Sequence, residues 1–133
     1  MSFRDVNRID AVLIPDSFVV KTAVSKGHVV KLDGELVVPA GANEFGIGVA
    51  MHNALPGESV EVAQYGLVPV IVDGDTAEIS VDDRLQTLAG GKLRKIEAGS
   101  DKNSQAFARN GSTADGDMIL AFVDFLRPGY TSA

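Results

Sequence analysis

Residues Glu58–Val72 read ESVEVAQYGLVPVIV, and this stretch narrows the choice of fold more than any other part of the chain. Apolar and polar residues alternate through Ser59–Ala63, a single glycine intervenes at Gly66, and valine then recurs at every second position to Val72. A period of two places alternate side chains on opposite faces, which is the signature of a β-strand. Asp73-Gly74-Asp75 follows at once and reads as a turn. The stretch holds no group of reactive side chains. A chain built around it presents a rigid sheet, and its function lies in the surface that the sheet carries.

The rest of the chain is cut in the same way. Valine occurs 17 times and tryptophan never, while 14 glycines and 5 prolines divide the sequence into short pieces. β-Branched residues are stiff at χ1 and sit well on a pleated surface. Short valine-rich pieces between turn signals predict an all-β fold, a small β-barrel or sandwich. Strands are expected near Phe18–Val24, His28–Leu32, Glu35–Val38, Phe45–Met51, Ser59–Ala63, Leu67–Val72, Ala77–Val81, Ala106–Arg109 and Asp117–Leu126. Asp33-Gly34 marks one hairpin. Gly90-Gly91, between Arg84–Leu88 and Lys92–Ile96, marks a second. A short helix over Val81–Leu88, with Ser80 as its N-cap and Asp82 and Asp83 in its first turn, competes with the strand reading there. Ser59–Val72 and Gly116–Phe125 are loosely alike, too weakly to define a repeat.

Two segments fall outside this pattern. Met1–Ser17 mixes charged and apolar residues without a clear period and reads as an extended N-terminal arm. Ala98–Asp117 is rich in Gly, Ser, Asn and Asp and reads as a long loop around a short strand. The expected organisation is an arm over residues 1–17, one β domain over 18–127 and a tail over 128–133.

A length of 133 residues suits one domain, large enough to bury a core without staples. The absence of cysteine excludes disulfides, cysteine zinc sites and thiol nucleophiles. A net charge of −6 argues against a nucleic-acid partner, because phosphate neutralisation needs clustered Lys and Arg. The densest basic cluster, Lys92, Arg94 and Lys95, reads as a solvated hairpin face. No apolar run approaches the length of a membrane span, and Arg4, Asp5, Asn7, Arg8 and Asp10 interrupt any signal-peptide core.

Each candidate for chemistry has a plainer explanation. His28 and His52 lack metal-ligand spacing. Asp73/Asp75 and Asp115/Asp117 do not supply the ligand series of a calcium loop and fit turns instead. Ala89-Gly-Gly-Lys92 has Gln86 where a phosphate loop needs its first glycine. Asn110-Gly-Ser112 reads as an Asn-Gly turn, and Asp82 and Asp83, if on a strand, point to opposite faces. No nucleophile, base and orienting partner assemble, so the expectation is a protein that is not an enzyme and uses no cofactor or metal.

Several motifs follow one another in order: Gly46-Ile-Gly-Val-Ala50, Pro56-Gly-Glu-Ser-Val-Glu-Val-Ala63, Gly66-Leu-Val-Pro-Val70, Asp82-Asp-Arg-Leu85, Gly91-Lys-Leu93, Ala106-Phe-Ala108 and Gly116-Asp-Met-Ile119. In this order they resemble the capsid cement, or head-decoration, proteins of tailed bacteriophages. The resemblance covers roughly Val24–Val123 and departs at Asp83, where a glycine is common in that family. It implies a structural virion protein, made in the host cytoplasm, that binds the outside of an assembled capsid and stabilises it. It also implies the major capsid protein as partner and self-association, as a homotrimer. Other readings remain open: a tail or fibre component, or a non-catalytic accessory or ligand-binding β domain. The arm carries Phe3, Val6, Ile9, Val12, Leu13 and Ile14, and these are the expected capsid-contact residues. Apolar groups in a loose terminus fit a partner better than water.

Overall fold

The computed structural model describes residues 14–97, 103–126 and 130–131. Every regular element among them is a strand: β1 (Ile14–Val19), β2 (Val29–Asp33), β3 (Leu36–Pro39), β4 (Gly48–Ala50), β5 (Ser59–Asp73), β6 (Arg84–Thr87), β7 (Leu93–Lys95), β8 (Asn103–Ser104), β9 (Ala106–Ala108), β10 (Asp115–Asp124) and β11 (Tyr130–Thr131). The all-β expectation holds, and it takes the form of a barrel rather than a sandwich. β5, β10, β9, β6 and β7 pair in a closed ring, completed where Val72 of β5 meets Leu93 of β7 in parallel. Val68, Val70, Val72, Leu85, Leu93, Ala106, Ala108, Ile119, Ala121 and Val123 fill it.

β1, β2, β3 and β4 close a second, smaller ring on the first half of β5, while β8 and β11 pair with each other. β1 and β4 flank β5, β2 pairs with β4, β3 pairs with β2, and a bridge from Val20 to Val37 joins the two ends. Val20, Val24, Val30, Val37, Ala50, Ala54, Val60 and Val62 form its core, with Phe18 and Ile47 packed against them.

The two cores share a wall. Val29 faces the larger core and Val30 the smaller; Val49 and Ala50 divide in the same way, as do Ala63 and Val62. Strands buried on both faces cannot alternate with polar residues, which is why these positions are Val and Ala throughout. Glycine allows the closest approach within the wall: a side chain at Gly48 would run into Val62 and the Ala63 carbonyl.

β5 belongs to both rings. Its 15 residues run through Gly66 without a break, whereas the sequence pattern predicted two strands there. Gly66 adopts φ 122°, open to glycine, and still pairs with Val123. Before Gly66 the even-numbered positions Val60 and Val62 enter the smaller core. After it, Val68, Val70 and Val72 enter the larger one.

Other boundaries move for local reasons. The first strand occupies Ile14–Val19 rather than Phe18–Val24, because Pro15 sits at a register shift beside Ala63, a place where a strand tolerates proline. Ala77–Val81 is reduced to a single bridge between Ile79 and Ser112. The competing helix over Val81–Leu88 is absent. Asp83 instead accepts from the Ser80 amide at 2.8 Å and closes a turn ahead of β6.

Both predicted hairpins form. Asp33 pairs with Leu36 across Gly34-Glu35, with positive φ at Gly34. Thr87 pairs with Leu93 across a loop containing Gly90 and Gly91, both at positive φ. Gly91 also accepts from the Val29 amide at 2.8 Å and so ties this hairpin to the wall.

Candidate attachment surface

The two longest strands, β5 and β10, lie side by side, and they are the two stretches whose sequences look alike. Their inner positions are the valines and small residues of the larger core. Their outer positions form three directly opposed apolar pairs: Leu67 with Phe122, Pro69 with Leu120, and Ile71 with Met118. Half of this surface remains in water, with Leu67 38%, Leu120 41% and Met118 49% exposed. A sheet face that meets solvent ordinarily carries polar residues, and a contiguous apolar face marks an interaction site.

One end of the face is aromatic. The Tyr65 and Phe122 rings meet edge to face at 5.2 Å. Phe122 stands opposite Phe107 of β9, and the Arg84 guanidinium lies 4.5 Å from the centre of the Phe107 ring. Three aromatic side chains and one cation therefore cross four strands, with an edge-to-face pair at one end and a cation over a ring at the other. Pro69 costs the sheet nothing. Ile71, two residues on, donates its amide away from β10 to the Gly27 carbonyl at 2.9 Å. Pro69 shares that parity, so its missing donor falls on the side where no ladder partner is required.

β1 begins beside this face. Glu58 accepts from the Val20 amide and Gln64 from the Phe125 amide, so β1 and β10 occupy the same edge of β5; Glu61, of opposite parity, accepts from Met51 on the other edge. Ile14 and Asp124 both pair with Tyr65. The edge is thus taken by β1 up to Tyr65 and by β10 beyond it. Of the residues expected to touch a capsid, Phe3, Val6, Ile9, Val12 and Leu13 lie outside the described residues. Ile14 is the first residue of β1, so Ile14–Ser17, assigned to the arm on sequence grounds, are paired with β5. In the tail, Tyr130 and Thr131 pair with Ser104 and Asn103.

The polar candidates are occupied in structural roles. Asp73 accepts from the Asp75 and Thr76 amides and from the Thr76 hydroxyl, and the hydroxyl bond above all holds its carboxyl below the usual value. Asp117 accepts from the Ser112 hydroxyl. Lys92 pairs with Asp115, Arg94 with Glu97 and Lys95 with Asp83, so the basic cluster is a set of surface ion pairs. His52 Nε2 accepts from the Glu61 amide, which leaves Nδ1 to donate to the Asn53 carbonyl. Among the described residues no three His, Asp or Glu side chains converge as a metal site.

Sequence reasoning missed the outer face of β5 and β10, although a signal was present. Leu67–Val72 and Met118–Val123 are apolar at both parities, a pattern that reads as a strand buried on two sides. Only one of those sides is buried within the fold.

No family model matches the chain, and no curated protein matches it in sequence. Among solved structures, the crystal structure of the head fiber gp8.5 N base in bacteriophage phi29 is similar, with a TM-score of 0.66 at 18% identity, covering 85% of this chain and 95% of that one.

Proposed function

We propose that the protein is a structural component of a phage virion that attaches to the outside of the assembled head. The observation that carries this reading is the fold shared with the phi29 head fiber base over 95% of that chain. Motif order independently resembles capsid cement proteins. The physical construction supports the same role. Two packed barrels hold their surface rigid, so little ordering cost is added on binding. Arm residues Phe3, Val6, Ile9, Val12 and Leu13 supply apolar groups for capsid subunits, and the partner is the major capsid protein. Several copies acting together, as a homotrimer, multiply apparent affinity by about 10²–10⁴. The protein performs no catalysis in this role.

Within it, cement is the leading reading. A cement protein ties neighbouring capsid subunits together, whereas a fibre base anchors a further structure. The phi29 similarity keeps the fibre base as a specific second reading. One experiment addresses both. Expanded, undecorated capsids are incubated with the full chain, or with a Phe3→Ser, Val6→Ser, Ile9→Ser variant, and pelleted. Binding by the full chain and weakened occupancy by the variant are expected. Failure of the full chain to pellet with capsids defeats the attachment reading. A rise in capsid rupture temperature on binding supports cement; saturation without such a rise supports a fibre anchor.

A further inference from the structure

A pocket of about 160 Å³ opens at the junction of the two barrels, and its lining is apolar except for Lys26. Val49, Ala63 and Val68 reach it from the larger core and Ala50 from the smaller one. Met51 and Pro69 complete the walls, and Lys26, the exposed member, stands at the mouth. We infer that this pocket binds a small carboxylic acid. The compact hydrocarbon body of the acid, a single ring or a short branched chain, enters among the apolar residues, and its carboxylate meets the Lys26 ammonium.

The pocket follows from the way β5 changes neighbours. Along the edge of β5 away from β10, β4 pairs as far as Ala63. The next tie among the described residues is the Ile71 amide, which donates to the Gly27 carbonyl at 2.9 Å. The pocket lies in the gap between these two ties, and the short side chains of Ala50 and Ala63 do not fill it. Protein interiors are close-packed, so a gap of this size at the end of a core is uncommon. An apolar cavity of about 150 Å³ holds one benzene, which sets the size of the body that fits.

The rim is built before any ligand arrives. Gly27 donates its amide to the Ala50 carbonyl at 2.9 Å while its own carbonyl holds Ile71, so it fastens one side of the mouth to both β4 and β5. Its φ of 86° favours glycine, and a side chain there would press on Ile71. Next to it, the Lys26 amide donates to Asn53 Oδ1 at 2.9 Å. A mouth fixed in this way adds little ordering cost on binding.

Charge selects the acid. Lys21, Lys31, Lys92 and Lys95 pair with Asp33, Glu44, Asp115 and Asp83. Lys26 alone among the described lysines has no carboxylate partner. Its ammonium is a compact charge on a flexible stem, able to follow an anion at the mouth while its carbons lie along the apolar rim. The site requires no capsid, so the inference stands or falls apart from the attachment reading.

Phenylacetate is the probe, titrated into the full chain and followed by methyl resonances. Saturable shifts are expected at Val49, Met51, Ala63 and Val68, with a Kd on the order of 0.1–10 mM for a ligand of this size. Leu32 and Ile79, away from the pocket, are expected to hold their positions. Benzylamine has a similar body and the opposite charge, and is expected to bind about 2–5-fold more weakly, the strength of an exposed charge pair. Lys26→Glu changes an exposed side chain and is expected to leave the Ile79 signals in place while reversing the order, so that benzylamine binds more tightly than phenylacetate. Shifts that do not saturate, or that fall outside the pocket, overturn the inference. Equal affinity of phenylacetate for wild type and Lys26→Glu also overturns it, because the carboxylate then owes nothing to Lys26.

Discussion

Tyr65 and Phe122 meet edge to face, with ring centres 5.2 Å apart and planes at 81°. The contact sits at the junction of the two barrels. Tyr65 is the residue at which β1 gives way to β10 along the edge of β5. Phe122 is the strand partner of Phe107, and the Arg84 guanidinium lies over the Phe107 ring, so these side chains run from β5 across β10 and β9 to β6. A double-mutant cycle of Tyr65→Ala and Phe122→Ala is expected to give a coupling of about 0.5–1.5 kcal/mol in unfolding free energy. Additive single effects, read from urea midpoints at constant slope, refute the direct contact.

Gly66 permits β5 to change cores without ending. At φ 122° an L side chain is strained, so Gly66→Ala is expected to destabilise the protein by about 1–3 kcal/mol. Gly34 also has positive φ, but a side chain there meets nothing within 4 Å. Gly34→Asn is therefore expected to be near neutral, because asparagine tolerates the left-handed region. Thermal unfolding of the two variants distinguishes strain at the junction from a general sensitivity to losing glycine.

Much of the fold was legible because it rests on local rules. The alternation of Ser59–Ala63, the Asp33-Gly34 turn and the paired Gly90-Gly91 each specify their own geometry. What escaped depends on distant neighbours. Gly66 reads locally as a break, yet Val123 pairs with it and carries the ladder across. Pro15 reads as the end of an apolar run, yet a register shift beside Ala63 absorbs it. The shared wall was hidden for the same reason, since the opposite destinations of Val29 and Val30 appear only once two cores exist. The apolar pairs of the outer face were visible as residues but not as a surface: period-two reasoning assigns both sides of Leu67–Val72 to a core.

Acid should weaken the surface network in a defined direction. A hydrogen bond from Lys31 is the main cause that lowers the Glu44 carboxyl below its ordinary 4.5, and the Gly41 amide adds to it. Lys21 lowers Asp33, and Thr76 lowers Asp73, below the ordinary 3.8. A carboxyl depressed in the folded state contributes stability above its unfolded value and loses that contribution as pH falls through the folded one. Stability is thus expected to decline below about pH 4.5. Lys92, raised by its bond to Asp115, behaves oppositely: its contribution is complete below the ordinary 10.5 and lost at higher pH. Glu44→Gln should flatten part of the acid decline, with the effect reduced at high salt because these groups are exposed. Parallel acid profiles for wild type and variant rule out the Lys31–Glu44 pair as a source.

The two barrels should unfold as one unit. Each core is small, but β5 supplies Val60 and Val62 to one and Val68, Val70 and Val72 to the other. β2 and β4 form the wall between them, so melting either barrel strips one face of that wall. Exposing Val29 and Val49 on one side, or Val30 and Ala50 on the other, removes the burial that stabilises the strands carrying both. Val62→Ala and Val70→Ala each delete two buried methyl groups and are expected to cost about 2–3 kcal/mol with the cavity included. Because the cost falls on a shared structure, both variants should lower the same single transition. Circular dichroism and calorimetry should give coincident midpoints, with calorimetric and van't Hoff enthalpies equal. A Val62→Ala variant that melts in two steps, leaving the larger barrel at the wild-type temperature, refutes this coupling. In that case the wall separates two independent domains rather than joining two halves of one.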